Sequence, residues 1–238
     1  MVKVGGVALL GTVVNTIVII IGSVCGNFLR GKFPDNIRET IMHCLALVVL
    51  LIGLTMAVKT ENMLVVTLSM VAGGITGEML KIEERINTVG NRLKARYAQN
   101  DGDFTRGFVS ASLLFCVGAM SIMGALQSGL TGNHTILLTK SILDGISSTI
   151  FSSSMGLGVA FSAVSVFVYQ GVITLAAASV KPFLTDNIVR EMTATGGLII
   201  FALGINMFDA GLRIKVGNLL PAIFYAIVFT MIMAPLPI

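Results

Sequence analysis

Apolar residues along this chain gather into long blocks that are separated by short polar stretches. Eight blocks can be distinguished, at residues 4–28, 41–58, 63–80, 105–126, 134–151, 156–180, 192–208 and 217–235. A helix rises about 1.5 Å per residue, so a block of about 20 residues can cross the roughly 30 Å hydrocarbon core of a bilayer. The pattern therefore predicts an all-α, polytopic membrane protein with about 7–8 spans.

The fifth block is the least apolar, and it leads into the stretch LLTKSILDGISSTIFSSSMG from Leu137 to Gly156. At helical spacing the polar residues of this stretch share one face, and leucine and isoleucine residues occupy the other. The polar stripe consists of Lys140, Asp144, Ser147, Ser148, Phe151 and Ser152. Exposing this stripe to lipid is unfavourable, because placing a lysine or aspartate at mid-bilayer costs about 2.5–3.5 kcal/mol even on the lower membrane-insertion scales.

Several roles for the stripe remain open. Lys140 and Asp144 are four residues apart and can form a structural ion pair that locks the helix in place. Alternatively, the stripe lines a water-filled path or a binding site. Asp144 would then be the coupling or cation-binding carboxylate, and Lys140 its counter-charge or the contact for an anionic substrate. A third interpretation places block five nearer the membrane interface.

The end of the same stretch, SSSMGLG, is rich in hydroxyl groups and glycine. One interpretation is a broken or re-entrant helix, since glycine lets helices break and exposed backbone groups bind ions in transporters. Ser147, Ser148 and Ser152 would then supply ligand oxygens. The alternative is that these serines bond the preceding turn of their own helix.

Other polar residues also lie within or at the ends of apolar blocks, namely Asn15, Gln127, Gln170 and Asn206. Each taken singly is expected to form an interhelical hydrogen bond. Taken together with the stripe they could line a cavity, so they complete the set of candidate path residues. Close helix contacts are predicted at the small-xxx-small pairs Gly22/Gly26 and Gly73/Gly77.

The long polar stretch from Glu78 to Arg106 contains KIEERINTVGNRLKARY, in which apolar residues recur at helical spacing opposite charges. This predicts an amphipathic helix, interpreted as lying on the membrane surface, with a regulatory or dimerising role as the alternative. Charged residues make up only 12% of the chain, and the net charge is +4. Lysine and arginine are concentrated in this stretch, which places it in the cytoplasm and both termini outside.

An internal repeat is predicted because Asp35–Met56 and Asp186–Met207 share an Asp-Asn-Ile start and aligned leucine, glycine and methionine residues. Blocks one to three would match blocks six to eight. Block six begins after five crossings, an odd number, so the second triplet would be inverted relative to the first, as in many secondary transporters. The chain is predicted as a single transmembrane domain, 1–238, divided into repeat one at 4–80, the amphipathic helix and loop at 78–106, a central pair at 105–151 and repeat two at 156–235.

Catalytic and cofactor motifs are absent from the sequence. It has two histidines and three cysteines, without a His-Glu-x-x-His, Gly-x-Ser-x-Gly, paired Cys-x-x-Cys or Gly-x-x-x-x-Gly-Lys motif. We expect no enzyme activity, no metal, no cofactor and no nucleic-acid partner. The expected partners are the lipid bilayer and a small solute or ion. A homodimer is an option that the interhelical glycines allow.

Several motifs together resemble a known family. They are GTVVN (Gly11–Asn15), GGITGEMLKIEERI (Gly73–Ile86), CVGAMSIMGALQSGL (Cys116–Leu130), KSILDG (Lys140–Gly145) and YQG (Tyr169–Gly171). They are similar to domain-of-unknown-function family 554, the bacterial membrane proteins of the YdfK and YqgA type, over nearly the whole chain. The resemblance implies a bacterial inner-membrane protein described as a candidate transporter, and it implies no substrate and no established site.

The sequence therefore favours a secondary transporter or channel for a small solute or ion, with a polar path lined by block five. The alternative is a non-transporting membrane scaffold or sensor that acts through the cytoplasmic amphipathic helix. An intramembrane enzyme is the least supported reading, because two histidines leave few catalytic arrangements.

Overall fold

The computed structural model describes residues 8–30, 34–98, 103–208 and 213–233, and within these ranges the chain is helical without any strand. The α-helices, in order, are α1 (Leu10–Arg30), α2 (Asp35–Ala57), α3 (Met63–Met79), α4 (Ile82–Tyr97), α5 (Phe104–Cys116), α6 (Ala119–Thr131), α7 (Thr135–Met155), α8 (Gly158–Leu175), α9 (Ala177–Val180), α10 (Asp186–Met207) and α11 (Pro221–Met233). Two short 3-10 turns, Lys181–Phe183 and Val216–Leu219, precede α10 and α11. The predicted all-α class is confirmed, although residues 4–7 and 234–235 of the first and last blocks lie outside the described ranges.

By length and composition, five helical stretches within the described ranges can cross a membrane: Leu10–Arg30, Glu39–Ala57, Gly158–Leu175, Asp186–Met207 and Val216–Met233. Two further pairs, α3 with α4 and α5 with α6, reach the same criterion together but are bent by 60° and 61°, which raises the count to as many as seven. Helix α7 is not among the candidates, because its polar stripe lowers its hydropathy. The chain is a multi-span helical membrane protein.

The position of the helix break differs from the one considered above. Block five forms part of one continuous helix of 21 residues, α7, which is not broken within the block. The stretch SSSMGLG is the junction at which α7 ends and the chain turns into α8 at Gly156, whose φ is +76°. The break lies in block four, where Val117 is extended and Gly118 has a φ of 142° between α5 and α6. Such a φ is accessible mainly to glycine, which explains why the helix breaks there.

Two compact units divide the fold. Unit 1 falls within residues 1–39 and 89–182, and it contains α1 and α5 to α9. Unit 2 falls within residues 40–88 and 183–238, and it contains α3, α10, α11 and most of α2. Each unit therefore combines helices from both of the stretches that the sequence pairs as repeats.

In unit 2, glycine residues form two close helix contacts, one between α2 and α10 and one between α3 and the chain at the start of α11. Gly53 of α2 lies against the backbone of Phe201, and Gly204 of α10 lies so close to Leu50 that a Cβ there would be 2.8 Å from Leu50 Cγ. Gly73 and Gly77 of α3 lie directly against the backbone of the Val216–Leu219 turn and the start of α11, at Asn218 and Ala222. The close contact predicted at Gly73/Gly77 is thus confirmed.

Candidate functional site

The central feature of unit 1 is an ion pair between Lys140 and Asp144 near the middle of α7. Both residues are buried, with 6% and 7% of their surface exposed. Four-residue spacing puts the two side chains on one face of the helix, and their pairing offsets part of the cost of burying each charge. The ion pair that the sequence predicts is therefore present, and it lies in the interior of the unit.

Two amide side chains from other helices join the pair. Asn15 of α1 donates from Nδ2 to Asp144 Oδ2 at 3.0 Å and to Gln170 Oε1 of α8 at 3.4 Å. Asn15 and Gln170 are both 0% exposed. We call Asn15, Lys140, Asp144 and Gln170 the central polar cluster. Asn15 lies far from the ion pair and from Gln170 in the sequence, and the fold brings them together because α1, α7 and α8 pack against one another.

The hydrogen bonds of the cluster leave polar atoms without a protein partner. The carboxylate can only accept, so it fixes the amide of Asn15 with its nitrogen towards Asp144. That nitrogen in turn requires the oxygen of Gln170, which leaves Gln170 Nε2 and Asn15 Oδ1 buried and unpartnered among protein atoms. A buried polar atom without a partner costs about 1–3 kcal/mol. The cluster therefore keeps one acceptor, Asn15 Oδ1, and one donor, Gln170 Nε2, that no described protein group satisfies.

The helix break lies beside this cluster. Phe115 is the penultimate residue of α5, and Lys140 Nζ lies 5.9 Å from the centroid of its ring. Ser121, in the first turn of α6, donates to the carbonyl oxygen of Phe115 at 2.9 Å. A broken helix exposes backbone amides and carbonyls that a continuous helix would satisfy internally. The break thus adds backbone polarity next to the buried charges.

The serines of α7 are engaged with backbone carbonyls. Ser148 donates to Gly145 O at 2.9 Å within its own helix. Ser152 donates to Ser23 O of α1 at 2.6 Å, and Gly156 O lies 3.1 Å from the same hydroxyl oxygen. Ser147 is half-buried, and no ligand role is visible for it. In this structure the hydroxyls of Ser148 and Ser152 close the helix interface rather than point at the central polar cluster.

The other predicted path residues lie elsewhere. Gln127, near the end of α6, is half-buried and keeps a buried Oε1 without a protein partner. Asn206 belongs to unit 2, where its amide donates to Ile214 O at 2.7 Å and accepts from Ile214 N at 2.8 Å. Asn206 therefore holds the chain that follows α10, which is a structural role.

The sequence reasoning missed the polar residues that continue the cluster along α1 and α8. Thr12 lies one turn before Asn15, and Thr174 lies one turn after Gln170. Both hydroxyls are buried without a protein partner, and the two residues are 0% and 3% exposed. Their helical spacing from the two amides was a signal that could have identified them.

Another set of polar residues that the sequence did not reveal lies where α7 begins. Ser128 of α6 donates to Ala8 O at 2.6 Å and also lies 2.7 Å from His134 Nδ1. A serine hydroxyl has one proton, so His134 Nδ1 carries the hydrogen of the second bond. His134 Nε2 is then an acceptor, and it is buried without a protein partner.

Metal ligands do not cluster in the part of the chain that the structure describes, where no group of three or more His, Cys, Asp or Glu side chains is placed to hold an ion. The cysteines Cys25, Cys44 and Cys116 are free thiols. Within the described residues, the polar interior of unit 1 contains the Lys140–Asp144 ion pair, amides, hydroxyls and the imidazole of His134.

Comparison with known proteins agrees with this architecture. The model of the family described as "Protein of unknown function (DUF554)" matches residues 10–231. The chain is 29% identical over 217 residues to "Uncharacterized membrane protein YdfK" of Bacillus subtilis (strain 168), covering 90% of this chain and 92% of that relative. It is also 29% identical over 223 residues to "Uncharacterized protein YqgA" of Escherichia coli (strain K12), covering 91% and 94%. No solved structure matches. The chain belongs to the DUF554 family.

Proposed function

We propose that this DUF554 protein is a secondary transporter or channel that moves a small solute or ion across the bacterial inner membrane. The observation that supports it best is the buried Lys140–Asp144 pair in contact with the amide of Asn15, which in turn bonds Gln170. In this proposal the polar path follows α7, the stretch 78–106 lies in the cytoplasm, and the chain has no catalytic activity.

Energetic arguments favour a role of the Lys140–Asp144 pair in transport over a purely structural role. Replacing a buried ion pair by apolar residues of similar volume is often neutral or stabilising, so stability alone is a weak reason to keep two charges. Ionisable residues inside membrane helices characteristically mark the routes of ions, protons or substrates. The bent α5–α6 pair beside Lys140 resembles the discontinuous helices with which transporters present backbone groups at their binding sites.

Packing in unit 2 supports the inverted repeat that the proposal includes. Leu50 and Phe201 occupy equivalent positions in the two aligned stretches, as do Gly53 and Gly204. Gly53 packs on Phe201, and Gly204 packs on Leu50, which is the reciprocal pattern expected across a two-fold axis. The direction of the contacts makes α2 and α10 antiparallel, as inversion requires.

The proposal is tested by flux measurements in proteoliposomes. Purified protein would be reconstituted with a pH-sensitive dye inside, and gradients of protons, Na⁺, K⁺ and Cl⁻ would be applied. We expect flux above that of empty liposomes for the wild type and its loss in Asp144→Asn, which keeps the size of the side chain and removes the charge. Glu84→Gln, at an exposed carboxylate of α4, is the matched control and should transport normally. Equal flux in wild type and Asp144→Asn would contradict the proposal.

The second candidate is a scaffold or sensor that acts through α4. The observation that favours it is that the start of α4 is held by hydrogen bonds within unit 2. Asn218 Oδ1 accepts from Glu83 N, and Glu83 Oε2 accepts from Gly217 N, both at 2.7 Å. Lys215 donates to Glu78 at 2.6 Å, and this hydrogen bond raises the pKa of Lys215. Movement of α4 would therefore pull on the turn before α11.

Deletion of α4 separates the two candidates. If the protein is a scaffold, removing residues 82–97 abolishes its cellular effect while flux in liposomes persists or was never present. If it is a transporter, flux and cellular effect disappear together when Asp144 is changed to asparagine.

A further inference from the structure

Among the residues that the structure describes, four buried side-chain polar atoms without a protein partner share one face between α1 and α8. Thr12 Oγ1 and Asn15 Oδ1 lie on α1, and Gln170 Nε2 and Thr174 Oγ1 lie on α8. All four residues are at most 3% exposed. The spacing within each helix is three or four residues, so each pair shares one face.

The two helices run antiparallel, which gives these atoms an order. Leu9 approaches Gly171, and Asn15 bonds Gln170, so higher positions on α1 meet lower positions on α8. Thr12 and Thr174 therefore lie on the same side of the Asn15–Gln170 contact. Moving away from Asp144, the order is the amides first and the two threonines next.

Beyond the threonines lies one end of unit 1, which we call the His134 end. Gly129 of α6 lies against Thr174 O, while Ser128 bonds both Ala8 and His134. The start of α1, the end of α6, the start of α7 and the end of α8 meet there. The unpartnered Nε2 of His134 continues the series of polar atoms to this end.

The opposite end of the unit, which we call the Arg30 end, is closely packed. Gly22 and Gly26 of α1 touch the backbone and hydroxyls of α7 at Gly145, Ser148 and Thr149 so closely that a methyl group at either glycine would collide. Ser152 donates to Ser23 O across the same interface. Ser23 Oγ is the exception here, since it has no protein partner.

We propose that the α1–α8 face holds a file of water molecules that connects the His134 end of unit 1 with Asp144. Leaving four buried polar atoms without any hydrogen bond is costly, and native proteins keep few such atoms. Buried water characteristically bonds two to four polar groups, and amide and hydroxyl groups one turn apart offer such partners. The hydration follows from unit 1 alone. Its role as the access route of the ion pair, open from one side only, rests on the proposed function.

The experiment measures water access directly with Ag⁺, which is about as small as a water molecule and binds thiolates. Thiolate forms in water and is suppressed in apolar surroundings. The full chain is first made cysteine-free by replacing Cys25, Cys44 and Cys116 with alanine. Thr12→Cys and Thr174→Cys are then compared in lipid with Ile19→Cys, whose position in α1 is 0% exposed and apolar. The thiols left unmodified are counted with a maleimide dye after denaturation.

We expect Ag⁺ to modify Thr12→Cys and Thr174→Cys at least tenfold faster than Ile19→Cys. Rates as slow as that of Ile19→Cys in folded protein overturn the proposal. A rate for Ile19→Cys as fast as the others also overturns it, since access would not follow this face.

A second measurement protects the test against misfolded variants. Solid-state NMR of the wild type in lipid can transfer magnetisation from water to the Gln170 side-chain amide, assigned by its loss in Gln170→Leu. Transfer as fast as for the exposed Asn133 supports the water file, and transfer as slow as for buried backbone amides of α1 overturns it. Neither readout depends on flux. Fast labelling without any flux would remove the transport proposal and leave the water file in place.

Discussion

The two ends of unit 1 use the same small polar residues with opposite results. At the Arg30 end, the hydroxyls of Ser148, Thr149 and Ser152 all donate to backbone carbonyls. At the His134 end, the hydroxyls of Thr12 and Thr174 have no protein partner. Ser148 and Thr149 bond the carbonyl of Gly145 in their own helix, whereas Ser152 reaches Ser23 O across the α1–α7 contact that Gly22 and Gly26 make close.

Apolar packing also closes part of the His134 end. Leu137 of α7 is 0% exposed, and it fills the space beside Gly11 of α1 and Gly124 of α6. A leucine between two glycines excludes water from the α1–α7 and α6–α7 contacts. The polar atoms of α1 and α8 that lack a protein partner are therefore confined to one narrow face. The role of a hydroxyl or a glycine depends on the residues that pack around it.

The largest effect is expected at the junction of the two ends, where the ion pair lies. Asp144→Ala leaves Lys140 charged and without its partner, which should lower the free energy of unfolding by about 3–5 kcal/mol. Unfolding in detergent, followed by circular dichroism, measures the loss. The double variant Lys140→Met/Asp144→Leu should recover most of the stability but no flux. Wild-type stability in Asp144→Ala would mean that neither end shields the lysine from bulk water.

An intermediate effect is expected from adding one methyl group at a close and at an open helix contact. In Gly26→Ala, at the Arg30 end, the new Cβ overlaps the carbonyl of Thr149, and overpacking of this kind costs about 1–3 kcal/mol. The matched control is Gly171→Ala on α8, where the nearest atom is Leu9 Cδ2 at 3.9 Å, an ordinary contact. Thermal unfolding should separate the two variants clearly. Equal melting temperatures would contradict the distinction between the close α1–α7 contact and the open α8 position.

The smallest effect is expected when single hydroxyls are removed. Ser152→Ala loses the hydrogen bond to Ser23 O and should cost about 0.5–1.5 kcal/mol. Thr174→Val is close in shape and loses no protein hydrogen bond, so its stability should stay within about 0.5 kcal/mol of the wild type. Denaturant unfolding of both variants measures the difference. A larger loss for Thr174→Val would mean that a bonded partner of its hydroxyl contributes to stability.

Much of this architecture can be predicted from local patterns. Hydropathy identified the membrane class, and helical spacing placed Lys140 and Asp144 on one face of a helix. The helical spacing of apolar residues opposite charged ones also predicted the amphipathic helix, which the structure confirms as α4, Ile82–Tyr97. These features depend on neighbours within a few residues along the chain, and such neighbours can be read directly from the sequence.

The helix break shows where local patterns fail. Two places offered a glycine at which a helix could break, the stretch SSSMGLG and Gly118. The stretch SSSMGLG has more polar residues, so the sequence favoured a break there. In the fold, however, Ser152 donates to Ser23 O and Gly156 O lies 3.1 Å from the same hydroxyl oxygen, so the junction of α7 and α8 is a tight turn. At Gly118 the backbone turns sharply, and Ser121 satisfies the carbonyl of Phe115.

The sequence by itself determined that this is a helical membrane protein with a buried lysine and aspartate on one helix, because hydropathy and helical periodicity are local properties. Only the tertiary structure decided that Asn15 and Gln170 join the pair while Asn206, Ser148 and Ser152 do not. Which polar groups meet depends on how closely α1, α7 and α8 approach, and glycine contacts between residues far apart in the chain set that distance.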